Sequence, residues 1–157
     1  MAIRKILKIG EFGDDALKKV CKPVGVPSER MKEVLDDLAD TLYESGGVGL
    51  AAPQVGILRR MAVIDVGDGL IELVDPEVIS KKGKQTDTEG CLSYPEHWGK
   101  VTRPKKVVVR AADRDGNVRE IEGEDLLARA LCHEIDHLDG HMFMEKVTEW
   151  VDPDEEE

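Results

Sequence analysis

Leu131-Cys132-His133-Glu134-Ile135-Asp136-His137-Leu138-Asp139-Gly140 is the stretch whose reading decides the fold. It has the pattern H-E-x-x-H. On a helix, two histidines four residues apart lie one above the other on the same face, where two imidazoles can hold one metal ion. The glutamate beside the first histidine is placed to take a proton from a metal-bound water. The flanks are helical: Leu127, Ala130, Leu131, Ile135 and Leu138 form an apolar stripe, and Gly140 stands where a helix usually stops. The predicted helix, Glu124 to Leu138, therefore buries its metal-binding edge against the rest of the fold. The pattern also occurs on surface helices that hold no metal, so a third ligand and the remainder of a site must come from elsewhere in the chain.

The chain has 157 residues, the size of one domain with one core. Apolar residues make up 41% and aromatic residues 4%, so that core is mostly aliphatic. With 22 basic and 33 acidic residues the net charge is -11, which argues against the basic face that nucleic-acid binding needs. Asp152 to Glu157 read as a solvated acidic tail. No run approaches the length of a membrane span, and Met1-Ala2-Ile3-Arg4-Lys5 does not resemble a signal or transit peptide. A cytoplasmic protein is expected. Cys21, Cys91 and Cys132 are odd in number and widely spaced, so they are expected as free thiols or metal ligands.

Upstream, Ser28 is a plausible N-cap. Met31, Val34, Leu35, Leu38 and Leu42 follow a helical period that Gly46-Gly47 ends. Gly47-Val48-Gly49-Leu50-Ala51-Ala52-Pro53-Gln54-Val55-Gly56 reads as a loop whose small residues allow a close backbone approach. Met61–Val66 and Leu70–Val74 read as a hairpin that Pro76 ends, with a further strand over Val78–Lys82. Val107–Ala112 and Asn117–Ile121 flank an Asp-Gly turn. Strands and helices are segregated, which predicts an α+β fold. The expected organisation is a single domain over 1–147 followed by a short acidic tail, 148–157.

Histidine candidates for a third ligand are poor. His97 sits in a polar stretch beside Trp98, and His141 comes too early for the metzincin spacing, which would place the histidine at Phe143. Cys91 is the better choice. A thiolate with two imidazoles leaves a fourth position open, as in catalytic rather than structural metal sites. Cys132 is one residue from His133, about 100° around the helix, and reads as a packing residue.

Three motifs now stand in order: Gly47-Val48-Gly49-Leu50-Ala51-Ala52-Pro53-Gln54, Glu89-Gly90-Cys91-Leu92-Ser93, and His133-Glu134-Ile135-Asp136-His137. Together they resemble the peptide deformylases, over roughly Ile3 to Val147. The resemblance implies mostly antiparallel strands around the metal-binding helix. It implies removal of the N-formyl group from the starting methionine of nascent polypeptides, with release of formate. Cys91, His133 and His137 would bind the metal, and a metal-bound water would be the nucleophile. Glu134 would be the general acid and base, and Gln54 and the Leu92 N–H would hold the oxyanion. Gly49 would lie against the formyl end, with Val48, Glu89, Gly90 and Ala130 lining the methionine pocket. Ligand chemistry suits zinc; the resemblance points to Fe(II), replaceable by nickel, cobalt or zinc. The implied partners are formyl-methionyl peptides. Some family members dock on the ribosome through a C-terminal helix, and the acidic tail standing here argues against carrying that partner over.

Overall fold

The structure is a computed structural model that describes residues 2–11 and 13–151. Helix α2 (Glu29–Ser45) starts where Ser28 Oγ accepts the Met31 N–H, 3.3 Å away, and stops at Gly46 in the left-handed region (φ 75°). A short α1 (Asp14–Leu17) precedes it. The chain then builds a five-stranded antiparallel sheet from β1 (Gly49–Ala51), β2 (Met61–Ile64), β3 (Ile71–Lys82), β6 (Lys106–Ala112) and β7 (Val118–Glu124), in that order across the sheet. A second sheet pairs β4 (Gln85–Cys91), β5 (Tyr94–Arg103) and β8 (Val147–Val151). Helix α3 (Leu126–Leu138) carries the two histidines of the H-E-x-x-H pattern.

Strand β2 of the five-stranded sheet is buried on both faces, which is why its sequence is apolar throughout. Side chains alternate across a strand. Met61 and Val63 join Val34, Leu35, Leu38 and Leu42 of α2 in one cluster. Ala62 and Ile64 join Leu131, Ile135 and Leu138 of α3 in the other. The architecture is therefore helix, sheet, helix, with α3 packed on one face and its polar edge turned to the second sheet. Gly123 permits this approach, since a Cβ there would stand 2.8 Å from a Leu131 methyl.

Several expectations change. Pro76 does not end a strand: β3 runs through it, with a register shift between Val74 and Glu77 and Asp75 at φ 50°. The missing Pro76 N–H is tolerated at this bulge, and the Asp75 carboxylate accepts the N–H groups of Val24 and Gly25 at 2.8 and 2.9 Å. The segment 47–56, read as a loop, contains β1 and a 3-10 turn at Ala52–Val55. Strand β5 was hidden by Pro95 and Gly99. Its Gly99 is required, because a Cβ would lie 2.5 Å from a Val147 methyl carbon. Residues 148–151, read as the start of the tail, belong to β8; Asp152 to Glu157 lie outside the described residues. Among the described residues no helix is long and apolar enough to cross a membrane.

Candidate metal centre and active site

Strand β4 ends at Cys91 beside α3, and this brings a thiol to the two imidazoles. Cys91 Sγ is 3.4 Å from His137 Nε2. The His133 and His137 rings stand 5.0 Å apart in an edge-on arrangement. One ligand atom from each of the three residues lies within 4.8 Å of the others. His133 Nδ1 is 2.8 Å from Glu89 Oε1, which leaves Nε2 as the ring nitrogen turned to Cys91.

Glu89 is buried among cations. Arg103 donates to both of its oxygens at 2.9 Å, and Arg129 donates to Oε2. Burial alone would raise this carboxyl; the hydrogen bonds from Arg103 and His133 outweigh it and hold Glu89 far below its ordinary value. Arg103 also donates to Asp136 Oδ2 at 2.6 Å. The carboxylate therefore stays charged and fixes the tautomer and tilt of His133, as supporting partners of metal-bound histidines do.

Glu134 is 3% exposed, and its Oε1 has no hydrogen-bond partner among the described residues. Burial pushes it up to about 7 against the lowering charges of His133 and Arg103. Burial and the charge on His133 hold His137 well below its ordinary value, so that imidazole is neutral. Burial would lower His133 as well, but the Glu134 charge and bonds to Cys91 and Glu89 raise it. A metal ion bound to such a set displaces protons from it. Two imidazoles, one thiolate and an unpartnered buried carboxylate oxygen fit a divalent cation with an open position.

Gly49 packs on Glu134 so closely that a Cβ there would be 2.5 Å from Oε2. Gln54, in the 3-10 turn, is 1% exposed. Its Oε1 accepts the Ala51 N–H at 2.9 Å, and its Nε2 donates to Ser93 Oγ at 3.1 Å and faces Cys91 Sγ at 3.7 Å. The amide orientation is thus set, with the donor on the Cys91 side.

One cleft of about 560 Å³ gathers Val48, Gly49, Gln54, Glu89, Gly90, Cys91, Leu92, Ala130, His133 and Glu134 on its walls. His137 lies beneath it, 1% exposed. Glu89, read from sequence as a pocket residue, lines the cleft, but its carboxylate is engaged by His133, Arg103 and Arg129. Cys132 is packed in the aliphatic core with Cys21 and Ile135 and is outside the ligand group. A four-ligand structural site that uses Cys132 therefore does not form among the described residues. Sequence reading missed the roles of Arg103, Arg129, Ser93 and Asp136. A signal existed for Arg129, four residues before His133 on the same helix face. A larger groove of about 850 Å³ shares no residue with the cleft and carries no candidate ligand.

The centre is that of a metal-dependent hydrolase, with three candidate ligands and a buried carboxylate at the floor of an open cleft. Comparison with known proteins is specific. The family model described as polypeptide deformylase matches residues 6–152. A peptide deformylase of Acetivibrio thermocellus is 56% identical over 157 residues, covering 100% of this chain and 91% of that one. The crystal structure of a peptide deformylase from Legionella pneumophila superposes with a TM-score of 0.88 at 44% identity, over 93% of this chain and 86% of that chain. A Met-Ala-Ser-bound peptide deformylase of Acinetobacter baumannii superposes at 0.86 and 30% identity, covering 92% and 98%. This chain belongs to the polypeptide deformylase family.

Proposed function

We propose that this protein hydrolyses the N-formyl group from the amino-terminal methionine of nascent polypeptides and releases formate. The observation that carries the proposal is the open Cys91–His133–His137 cluster beside Glu134 at the floor of the cleft. The cleft itself suits a peptide. Strand β1 is an edge of one sheet and β4 an edge of the other, and residues of both line the cleft. An extended peptide can add to such strand edges through its backbone, with its formyl end directed to the floor.

Cys91, His133 and His137 would hold a divalent ion, which would supply Lewis acidity and lower the pKa of a bound water. Glu134 accepts the attacking water's proton on Oε1 and returns it to the departing amine nitrogen, so that formate and a free methionine amine result. Gln54 Nε2 and the Leu92 N–H donate to the carbonyl oxygen as it gains charge, each such donor being worth about 3 kcal/mol. Gly49 leaves room for the formyl group beside Glu134. Val48, Gly90 and Ala130 receive the methionine side chain, with the Glu89 backbone at the same wall. The ion proposed from the family resemblance is Fe(II), with nickel, cobalt or zinc as replacements. The protein works in the cytoplasm on formyl-methionyl peptides.

The test is formate release from a formyl-Met peptide by anaerobically purified protein, with the unformylated peptide as control. Metal content is measured on the same sample. Formate release with the control left intact is expected; no release from a metal-loaded sample overturns the proposal.

A further inference from the structure

We propose that residues 2–9 form a brace that sets the spacing of the two oxyanion donors, Gln54 Nε2 and the Leu92 N–H, and that Asp37 is the positioning residue that holds the brace in place. This inference rests on the deformylase reading of the site. It adds a determinant of the site's geometry that lies outside the cleft lining.

The two donors come from different sheets. Gln54 follows β1 of the first sheet, and Leu92 follows β4 of the second. Their segments meet where Gln54 Nε2 donates to Ser93 Oγ. A second link runs through the backbone of a third segment. The Leu7 N–H donates to the Gln54 carbonyl at 2.7 Å, and the Ile9 N–H donates to the Ser93 carbonyl at 2.9 Å. Two residues of one short stretch thus hold both donor segments.

Residues 2–8 belong to no helix or strand, so the brace keeps its place through what grips it. Ile6 packs on the apolar cluster between α2 and β2. Nearer the start, α2 supplies polar partners. Asp37 Oδ1 accepts the Ala2 N–H at 2.9 Å, and Asp37 Oδ2 accepts from Arg4 Nε and Nη2 at 2.9 and 2.8 Å. Thr41 Oγ1 accepts the Arg4 N–H at 2.9 Å. Asp37 and Thr41 stand one turn apart on α2 and are both buried. Charge-assisted bonds such as these are the strong ones. The same helix backs the second donor, because the Leu92 side chain packs on the α2 cluster. Holding the brace and Leu92 from one helix fixes Gln54 against Leu92, the support that preorganised donors need.

The test uses the metal-loaded enzyme, a formyl-Met peptide, and Asp37→Ala, Gln54→Glu and the double variant. Asp37→Ala should lower kcat about tenfold, the effect of a slightly displaced donor, with KM and metal content unchanged. In the Gln54→Glu background the same substitution should lower kcat less than about twofold, because the spacing no longer serves a pair of donors. Amide hydrogen exchange at Leu7 and Ile9 should quicken about tenfold or more in Asp37→Ala, with α3 unchanged. Arg4→Ala breaks the same ion pair from its half-buried end and carries the test where Asp37→Ala does not fold. Arg114→Ala, which breaks the ion pairs with Asp36 and Glu72, is the stability control and should keep full kcat. Equal fractional losses in both backgrounds, faster exchange with kcat intact, exchange unaltered in Asp37→Ala and Arg4→Ala, or a matching loss of kcat in Arg114→Ala would each overturn this inference alone. No formate from the unaltered enzyme overturns the deformylase reading and the inference with it.

Discussion

Glu89 Oε1 stands 2.8 Å from His133 Nδ1, so the strand that ends in one candidate ligand also aims another on the facing helix. Glu89 lies two residues before Cys91 on β4, and β4 thus places a thiol and an orienting carboxylate together. The two arginines on that carboxylate keep it ionised in a buried site. They are themselves held, Arg103 by Asp136 and Arg129 by the Gln85 carbonyl.

Glu89→Gln should weaken metal binding by about 10- to 100-fold, the range typical of lost supporting partners. A competition titration against a chromophoric chelator measures this. The acid limb of stability should change as well. Glu89 is held below its ordinary value near 4.5, so its contribution is complete above that pH and is lost as pH falls toward the folded value. Tm of the unaltered protein should drop steeply below about pH 4.5; in Glu89→Gln that drop should be shallower. A chelator affinity unchanged by the substitution would remove Glu89 from support of the site.

The metal-stripped protein should gain stability from Glu134→Gln at neutral and alkaline pH. Glu134 is raised to about 7, above its ordinary value, so the folded state binds a proton that the unfolded chain has released. Stability therefore falls as pH climbs from near 4.5 to 7, by on the order of 3 kcal/mol. Removing the carboxylate should raise Tm by about 5–10 °C at pH 8 and leave it nearly unchanged at pH 4. Turnover of the loaded variant should be lost. Equal Tm values at pH 8 would show that Glu134 is hydrated in solution.

Gly49→Ala should abolish most turnover while the protein still binds metal. The added methyl meets Glu134 Oε2 at 2.5 Å, closer than any real contact allows, so the carboxylate must move. Displacing a general base by about an ångström can cost 100-fold or so. Metal content per chain and formate release on the same preparation separate the two effects.

Gln54→Glu keeps the oxygen that accepts the Ala51 N–H and removes the donor that faces Cys91. Loss of one such donor costs about 100- to 1,000-fold in kcat. KM for the formyl-Met peptide should change much less. A fall confined to KM would assign Gln54 to substrate binding in the ground state.

The helical parts of the fold were legible because their signals are local. Ser28, the apolar period of α2 and Gly46 occur within one stretch, and the two histidines sit four apart. β2 could be read as a strand, but its burial on both faces depends on two helices distant in sequence. β5 was not legible, since Pro95 and Gly99 break the alternation that marks a strand; its ladder partners, β4 and β8, come from both sides in sequence. The same reason hid Arg103. Its value lies in contacts to Glu89 and Asp136, 14 and 33 residues away, and no spacing rule covers such a triangle. Cys91, by contrast, could be singled out as a candidate ligand by elimination, because ligand chemistry limits the residue types to a few.

The two strand edges that flank the cleft carry a further consequence. Unpaired edges are sticky to any extended chain, and main-chain hydrogen bonds do not depend on which side chains a peptide carries. An enzyme that meets the newly made products of a whole genome needs breadth. On the proposed binding mode the cleft reads mainly backbone, with one side chain near its floor, so this fold can accept many different sequences and still act on a single bond at their first residue.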